Sequence, residues 1–348
     1  MVEAVSGAAA VASPGAGERS SRATLLEVNN LNVHFSPENP VRAVSGLSFS
    51  MSAGETVALV GESGSGKTAS ARAIMGLLPS TAVVTGSVKF EGIEILGLAR
   101  RELRRHRGRD IAMVFQDAAR SLNPTMRVGA QISEAIRAHQ PVSRSKARRL
   151  TVELLRMVRL PSAEQRLAQY PHELSGGMRQ RVMIAMALAC RPKVLIADEA
   201  TTALDVTTQA QIMTLLKDLQ GQFDMALLMI THDMALASSY SDRIFVMYAG
   251  RVVEYAPTRR FFTAARMPYT RALIDAVPDM SLPAHSLLPR VPGRPPDLRA
   301  LPRGCAFSPR CGYSDDRCQA EAPALEEGSP GHGWMCFHPL PERSTANG

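Results

Sequence analysis

Between Thr24 and Gly54 apolar residues alternate with polar ones in short runs: Leu25-Leu26-Glu27-Val28, Leu31-Asn32-Val33-His34-Phe35, Ala43-Val44 and Leu47-Ser48-Phe49. Ser36-Pro37-Glu38-Asn39-Pro40 divides them as a turn, so the pattern predicts an antiparallel β-layer. A solidly apolar run, Thr56 to Val60, follows, and then a helix-compatible stretch from Thr68 to Leu78. Gly86 to Ile95 reads as a further strand pair, and Asp110 to Phe115 as a buried strand ending at Gln116. From Val128 to about Leu167 the period changes: Ile132, Ala135 and Ile136, then Leu150, Leu154, Leu155 and Val158, fall at helical spacings. Beyond Lys193 strand and helix alternate, with strands Val194–Ala197, Ala226–Thr231 and Ile244–Met247 and a helix from Thr208 to Leu219. That alternation predicts a mainly parallel sheet covered by helices, with the Val128–Leu167 region as an inserted helical unit.

The junction between the Thr56–Val60 run and the following helix carries the chemistry. It reads Gly61-Glu62-Ser63-Gly64-Ser65-Gly66-Lys67-Thr68, a strand, a glycine loop and a helix start at the spacing G-x4-G-K-T. Glycines let successive backbone N–H groups wrap a phosphate in front of a helix N-terminus. Lys67 is placed to reach the β- and γ-phosphates and the Thr68 hydroxyl to help hold Mg²⁺. A second piece, Val194-Leu195-Ile196-Ala197-Asp198-Glu199, ends an apolar strand in two acids. Asp198 suits Mg²⁺ held through water, and Glu199 suits a general base for the attacking water. A third, Leu174-Ser175-Gly176-Gly177-Met178-Arg179-Gln180-Arg181, is a glycine turn opening a helix from Val182 to Ala189, with no lysine. A second anion-facing helix start without its own lysine fits the nucleotide of another subunit.

In this order the pieces resemble the ATP-binding cassette (ABC) ATPases over about Leu25 to Tyr255. The resemblance makes Gly61–Thr68 the Walker A loop, Gln116 the Q-loop, Leu174–Gln180 the signature, Val194–Glu199 the Walker B strand, Ala203-Leu204-Asp205 the D-loop and His232 the switch histidine. It implies two cassettes closing head to tail, with Ser175 and Gly177 of one against the γ-phosphate held by Lys67 and Thr68 of the other. It further implies that Gln116 senses Mg²⁺ and the attacking water, that Asp205 aligns the two sites, and that His232 holds the γ-phosphate and water beside Glu199. Where many cassettes place an aromatic residue for the adenine, this chain has Ser36 to Arg42. Phe35 reads as core, and stacking by Val41 or Arg42 stays open.

Finer motifs narrow the resemblance to the dipeptide/oligopeptide and nickel importer ATPase subunits. They are Phe115-Gln116-Asp117 with Ser121-Leu122-Asn123-Pro124, Thr201-Thr202-Ala203-Leu204-Asp205-Val206-Thr207, and Met267-Pro268-Tyr269-Thr270-Arg271-Ala272-Leu273. Ala200 stands where that subfamily usually has proline, which leaves both acids in place. The implied fold is an α/β P-loop NTPase cassette: a parallel-sheet core with an antiparallel β-layer and an inserted helical subdomain, plus a small Cys-rich C-terminal extension. The implied activity is ATP hydrolysis driving peptide import. Import of nickel, glutathione or another small solute is an alternative, as is a non-importer ABC ATPase. The implied partners are a second ATPase subunit, two transmembrane permeases and an extracellular or periplasmic solute-binding protein, with the chain at the cytoplasmic face of the cell membrane.

Composition adds boundaries. The 348 residues are 45% hydrophobic and 21% charged, ordinary globular chemistry, and no apolar run suggests a membrane span. Residues 1–22, rich in Ala, Gly and Ser, read as a disordered leader, and residues 23–257 as the ATPase domain with its helical subdomain at about 125–185. The net charge of +8 includes Arg100, Arg101, Arg104, Arg105, Arg107 and Arg109 on one helix-like stretch. Without stacking aromatics nearby this reads as a solvated face rather than a nucleic-acid surface. Prolines 278, 283, 289, 292, 295 and 296 suggest a stiff linker over 258–297, followed by a module over 298–341 that holds Cys305, Cys311, Cys318 and Cys336. Four thiolates suit a metal, and the tail is similar to a C-terminal extension that carries a 4Fe-4S cluster in some peptide-importer ATPases. The alternatives are Zn²⁺, with His332 or His338 able to substitute as ligands, and four free thiols. Cys190, on an apolar helix, reads as core.

Overall fold

The computed structural model describes residues 23–35, 41–202, 204–277 and 289–343. The 1–22 leader, the 36–40 turn, Ala203 of the D-loop and Pro278 and Pro283 of the linker lie outside the described residues. The chain opens with two long strands, β1 (Thr24–Phe35) and β2 (Val41–Ser52), which merge the four short runs of the sequence across register shifts. β3 (Thr56–Val60) leads into α1 (Lys67–Ile74), followed by β4 (Val83–Phe90), β5 (Ile93–Glu94) and α2 (Arg100–His106). Then come β6 (Ile111–Val114), the single turn α3 (Ala118–Ser121), and the helices α4 (Val128–His139), α5 (Arg144–Met157), α6 (Ala163–Arg166) and α7 (Gly176–Ala187). β7 (Val194–Asp198), α8 (Val206–Phe223), β8 (Ala226–Thr231), α9 (Met234–Tyr240), β9 (Arg243–Tyr248) and β10 (Arg251–Pro257) restore the alternation. The chain closes with α10 (Thr258–Ala264), α11 (Pro268–Asp275), α12 (Asp316–Ala320), β11 (Glu326–Ser329) and β12 (His332–Trp334).

Among the described residues the strands form a four-stranded sheet, β2-β1-β4-β5, and an eight-stranded one, β11-β12-β10-β9-β3-β8-β7-β6. The first is antiparallel, and the β9-β3-β8-β7-β6 part of the second is parallel. A parallel strand covered on both faces needs apolar residues at every position. β3 shows this: Ala58 and Val60 enter one core with the helices, while Val57 and Leu59 enter another beneath the antiparallel layer. The inserted helices pack on the first of these cores through Ile132, Ile136, Leu155 and Val158. α5 and α8 start where Ser143 and Asp205 accept hydrogen bonds from the backbone N–H groups of Lys146 and Thr208, as good N-caps do. The arginines of α2 are exposed, although Arg107, just beyond it, turns back to donate to the carbonyls of Met75 and Gly76.

The C-terminal region departs from expectation twice. Residues 258–275, read as the start of a linker, are helices whose Phe261 and Tyr269 are fully buried. Pro268 does not break structure here; it occupies the first helical turn, where its missing N–H costs nothing. The expected module over 298–341 also does not keep to itself. β12 pairs antiparallel with β10, and Phe307 packs in the main core, because so short a segment cannot bury enough surface alone.

Candidate functional site

The phosphate loop is held from three sides. Beneath it, a Cβ on Gly61 would lie 2.2 Å from the Met247 carbonyl and one on Gly66 2.3 Å from that of Ala43; both glycines also have positive φ. Only glycine fits such approaches. From the β9–β10 turn, Gly250 donates its N–H to the Ser65 carbonyl at 3.0 Å. From α11, the Tyr269 hydroxyl accepts the Glu62 N–H at 3.0 Å. Within the loop, the Lys67 ammonium donates to the Gly61 and Glu62 carbonyls at 2.8 and 2.9 Å and lies 3.4 Å from Ser65 Oγ. Burial lowers its pKa, opposed by the charges of Glu199, Asp198 and Glu62.

Opposite the loop stand the ends of three neighbouring strands. Asp198, at the end of β7, accepts from Thr68 Oγ1 at 2.9 Å. Burial pushes its carboxyl above the usual range, and the Thr68 hydrogen bond partly offsets this. Glu199 follows with φ +46, a left-handed conformation uncommon for a residue with a side chain, and its N–H is tied to the Ile230 carbonyl of β8. Its Oε2 accepts from Gln116 Nε2 at 2.7 Å and from Thr202 Oγ1 at 3.2 Å, with His232 Nδ1 3.6 Å away. Gly61, Ser63, Gly64, Gly66, Lys67, Thr68, Gln116, Glu199 and His232 line one open cleft of about 810 Å³. The sequence-derived residues of loop, Walker B strand, Q-loop and switch histidine are thus brought together in one place.

Ser175 and Gly177 are not part of that lining. Ser175 caps α7, accepting the Met178 N–H at 3.3 Å, and a Cβ on Gly177 would lie 2.8 Å from Thr208 Cγ2 of α8. Asp205 caps α8 through Thr208 N and Oγ1 at 2.9 and 2.7 Å, and the Thr208 N–H holds its carboxyl below the usual range. Signature and D-loop therefore adjoin each other, beside the exposed Val206.

Contributors from three places in the chain were missed from sequence. Tyr269 lies inside the Met267–Leu273 motif, yet nothing local marks its hydroxyl as a partner of a loop 207 residues away. Pro295 and Leu298 form part of the cleft wall, and with Val41, Ser63, Gly64 and Arg299 they border a second recess of about 320 Å³. Arg42, the other stacking candidate, lines a neighbouring recess. The third is Arg310, whose guanidinium meets the Glu62 carboxylate.

None of the five cysteines is in a disulfide. Cys305, Cys311, Cys318 and Cys336 border one small, largely apolar recess with Phe307, Phe337 and His338. Burial raises all four thiol pKa values, that of Cys336 to about 12. Among the described residues, Asp315, Cys318 and His338 bring ligand atoms within 4.8 Å of one another, a set containing only one of the four cysteines. Asp315 also caps α12, and the Cys318 N–H, with help from His338, holds its carboxyl down to about 2. His332, considered as a zinc ligand, is instead buried against Glu254 at 2.9 Å.

A glycine loop facing two strand-end acids, on a mixed sheet with an inserted helical unit, defines an ABC-type ATPase cassette. The ABC transporter family matches residues 44–202, and the oligopeptide/dipeptide transporter C-terminal region matches residues 253–318. The chain is 50% identical to the oligopeptide transport ATP-binding protein OppD of Salmonella typhimurium over 91% of its own length and 95% of that protein. It is 49% identical to the dipeptide transport ATP-binding protein DppD of Escherichia coli, over 91% and 97%. A solved ATP-binding cassette, MJ0796 in a dimeric post-hydrolysis state bound to ADP and Pi, superposes with a TM-score of 0.61 at 30% identity, covering 68% of this chain and 99% of that one. The chain belongs to the oligopeptide/dipeptide family of ABC transporter ATP-binding subunits. It is an ATPase of that class.

Proposed function

We propose that this chain hydrolyses ATP to power peptide uptake across the cytoplasmic membrane. The observation that carries the catalytic part is the convergence of Lys67, Thr68, Asp198, Glu199, Gln116 and His232 on one cleft. Lys67 leaves its own loop carbonyls for the β- and γ-phosphates, and Thr68, Asp198 and Gln116 would hold Mg²⁺, which would supply positive charge against the phosphates. Glu199 takes the proton of the attacking water, and Gln116 and His232 orient that water and the γ-phosphate. Ser63, Gly64, Ser65 and Gly66 supply backbone N–H groups to the phosphates. Ser175 and Gly177 complete the site of a partner cassette, with Asp205 aligning the pair, in keeping with their position outside this chain's own cleft. The peptide substrate follows the names of the OppD and DppD relatives and the matched C-terminal region. Two permeases and a solute-binding protein complete the importer. Among the described residues no helix is long and apolar enough to cross a membrane, which fits attachment through permeases.

In the tail, Cys305, Cys311, Cys318 and Cys336 would hold a 4Fe-4S cluster. The support is their shared recess and their all-sulfur donor set, which suits iron–sulfur or zinc chemistry. Such a group would cross-link a segment with little core of its own. Zinc on Cys318 and His338, with Asp315, is the alternative that the close ligand set favours, and iron and sulfide content separates the two.

Glu199→Gln tests the function as a whole. The side chain keeps its size, so ATP binding should persist, while turnover falls about 10²–10⁴-fold with loss of the base. Uptake of labelled di- and oligopeptides by cells relying on this subunit should stop. Parent-rate hydrolysis by the variant would remove Glu199 from its role. Peptide uptake unaffected by the variant would remove the importer reading.

A further inference from the structure

Glu62 is the first variable position of the phosphate loop, and its carboxylate is engaged from outside the cassette motifs. Arg310 places Nη1 2.7 Å from Glu62 Oε2 and Nη2 2.9 Å from Oε1, a two-pronged pairing across 248 residues. This geometry gives arginine–carboxylate pairs their strength and direction. The guanidinium is itself fixed. It is buried, with its carbon 5.7 Å from the ring centres of both Tyr248 and Phe307. Two further N–H groups donate to the Tyr248 hydroxyl and the Pro292 carbonyl. Arg310 also belongs to the turn that carries Cys311: its N–H donates to the Phe307 carbonyl, and that of Cys311 to the Ser308 carbonyl.

A carboxylate in a loop that must wrap a polyanion is a problem of charge. Unpaired and free to rotate, Glu62 would repel the nucleotide it sits beside, and in a partly buried cleft that repulsion is poorly screened. Pairing with Arg310 cancels the charge and holds the carboxylate on the side of the C-terminal segment. The same contact pins the backbone at Glu62, whose N–H Tyr269 already holds. We infer that Arg310 is a positioning residue for the phosphate loop, acting through Glu62, and that it makes ATP affinity depend on the folding of the cysteine-bearing segment. Coupling of this kind is reciprocal, so bound nucleotide in turn stabilises the Phe307–Cys311 turn.

The inference rests on the loop being the ATP site, which MgATP binding by the parent chain checks separately. The test is a double-mutant cycle on the full-length chain, reading the MgATP dissociation constant by titration and KM and kcat by phosphate release. Arg310→Met, which keeps apolar contacts with the rings, should raise the dissociation constant and KM about tenfold while kcat at saturation changes less than about twofold. In a Glu62→Gln background the same substitution should change affinity less than about twofold, because no carboxylate remains to be neutralised. A merely structural arginine would weaken binding equally in both backgrounds, and that result, or unchanged affinity in Arg310→Met, overturns the inference. Should Arg310→Met fail to fold, Arg310→Lys takes its place in the cycle. It keeps the charge but not the two-pronged geometry, so about a threefold loss is expected with Glu62 present and none in the Glu62→Gln background. Equal losses in the two backgrounds overturn the inference here too.

Discussion

Tyr269→Phe removes one oxygen and leaves the surrounding shape intact. The ring is fully buried, 4.5 Å from the Tyr248 ring and 5.3 Å from that of Phe307, and phenylalanine keeps both contacts. Burial pushes the phenol far above its ordinary range, so it is neutral at any working pH and serves as an acceptor for the Glu62 N–H. An ordinary hydrogen bond contributes about 0.5–1.5 kcal/mol, and a donor left without a partner in a buried setting raises the cost to about 1–3 kcal/mol. In a domain of this size each kcal/mol lowers the melting temperature by about 2–4 °C. The variant should therefore melt at least about 2 °C below the parent in the absence of nucleotide. Because the lost bond pre-organises the loop, the ATP dissociation constant should rise as well, by up to about tenfold if some 1.4 kcal/mol of ordering is deferred to binding. Differential scanning fluorimetry and nucleotide titration on the same preparation give both quantities. A variant that melts within about 1 °C of the parent and binds ATP equally would refute the idea that α11 holds the loop through this hydroxyl.

Two further outcomes follow from the buried acids. Asp198 has its carboxyl pushed upward by burial, so the fold favours its neutral form: that contribution is present below its ordinary pKa of 3.8 and is lost as pH rises through the raised value. The metal-free fold disfavours the ionised carboxylate, so Asp198→Asn should melt no lower than the parent without ligand, yet gain little from MgATP; thermal melts with and without MgATP check both halves. Glu254, fully buried on β10, accepts the backbone N–H groups of Arg266 and Met267 at 2.7 and 2.9 Å and faces His332. Glu254→Ala leaves those donors without a partner and should cost about 2–5 kcal/mol in urea unfolding, with Glu254→Gln markedly milder.

What could be read from the sequence was local. Gly61 to Thr68 announces itself because the strand, the turn and the helix start are consecutive, and the apolar runs of β3, β7 and β8 betray their burial on both faces. Gln116, Glu199 and His232 were legible through their order along the chain, and the fold explains why: each ends or follows a neighbouring parallel strand, so sequence order becomes proximity. Contacts across long separations were not legible. Tyr269 sits in a motif recognisable as a subfamily mark, but only the packing of α11 shows its hydroxyl on Glu62. Arg310 reads locally as one more arginine in a basic chain. The linker was overextended because its closely spaced prolines begin only at Pro278, Pro268 being a helix-start proline, whereas Phe261 and Tyr269 upstream needed a core to enter. The cysteine segment read as independent because its thiols drew attention away from Phe307 and Trp334, which commit it to the cassette.

The β11–β12 hairpin has a consequence for how the protein can be shortened. β10 lies at the end of the cassette's own strands, and β12 supplies its outer partner through Glu254 and Tyr255. A chain cut before the hairpin would present β10 as a bare edge with unpaired backbone donors and acceptors, a template for adding the same strand from another molecule. Loss of activity after truncation would then report sticking and precipitation rather than the absence of the cysteines. The cysteines are better removed one at a time, with the hairpin left in place to keep the edge closed.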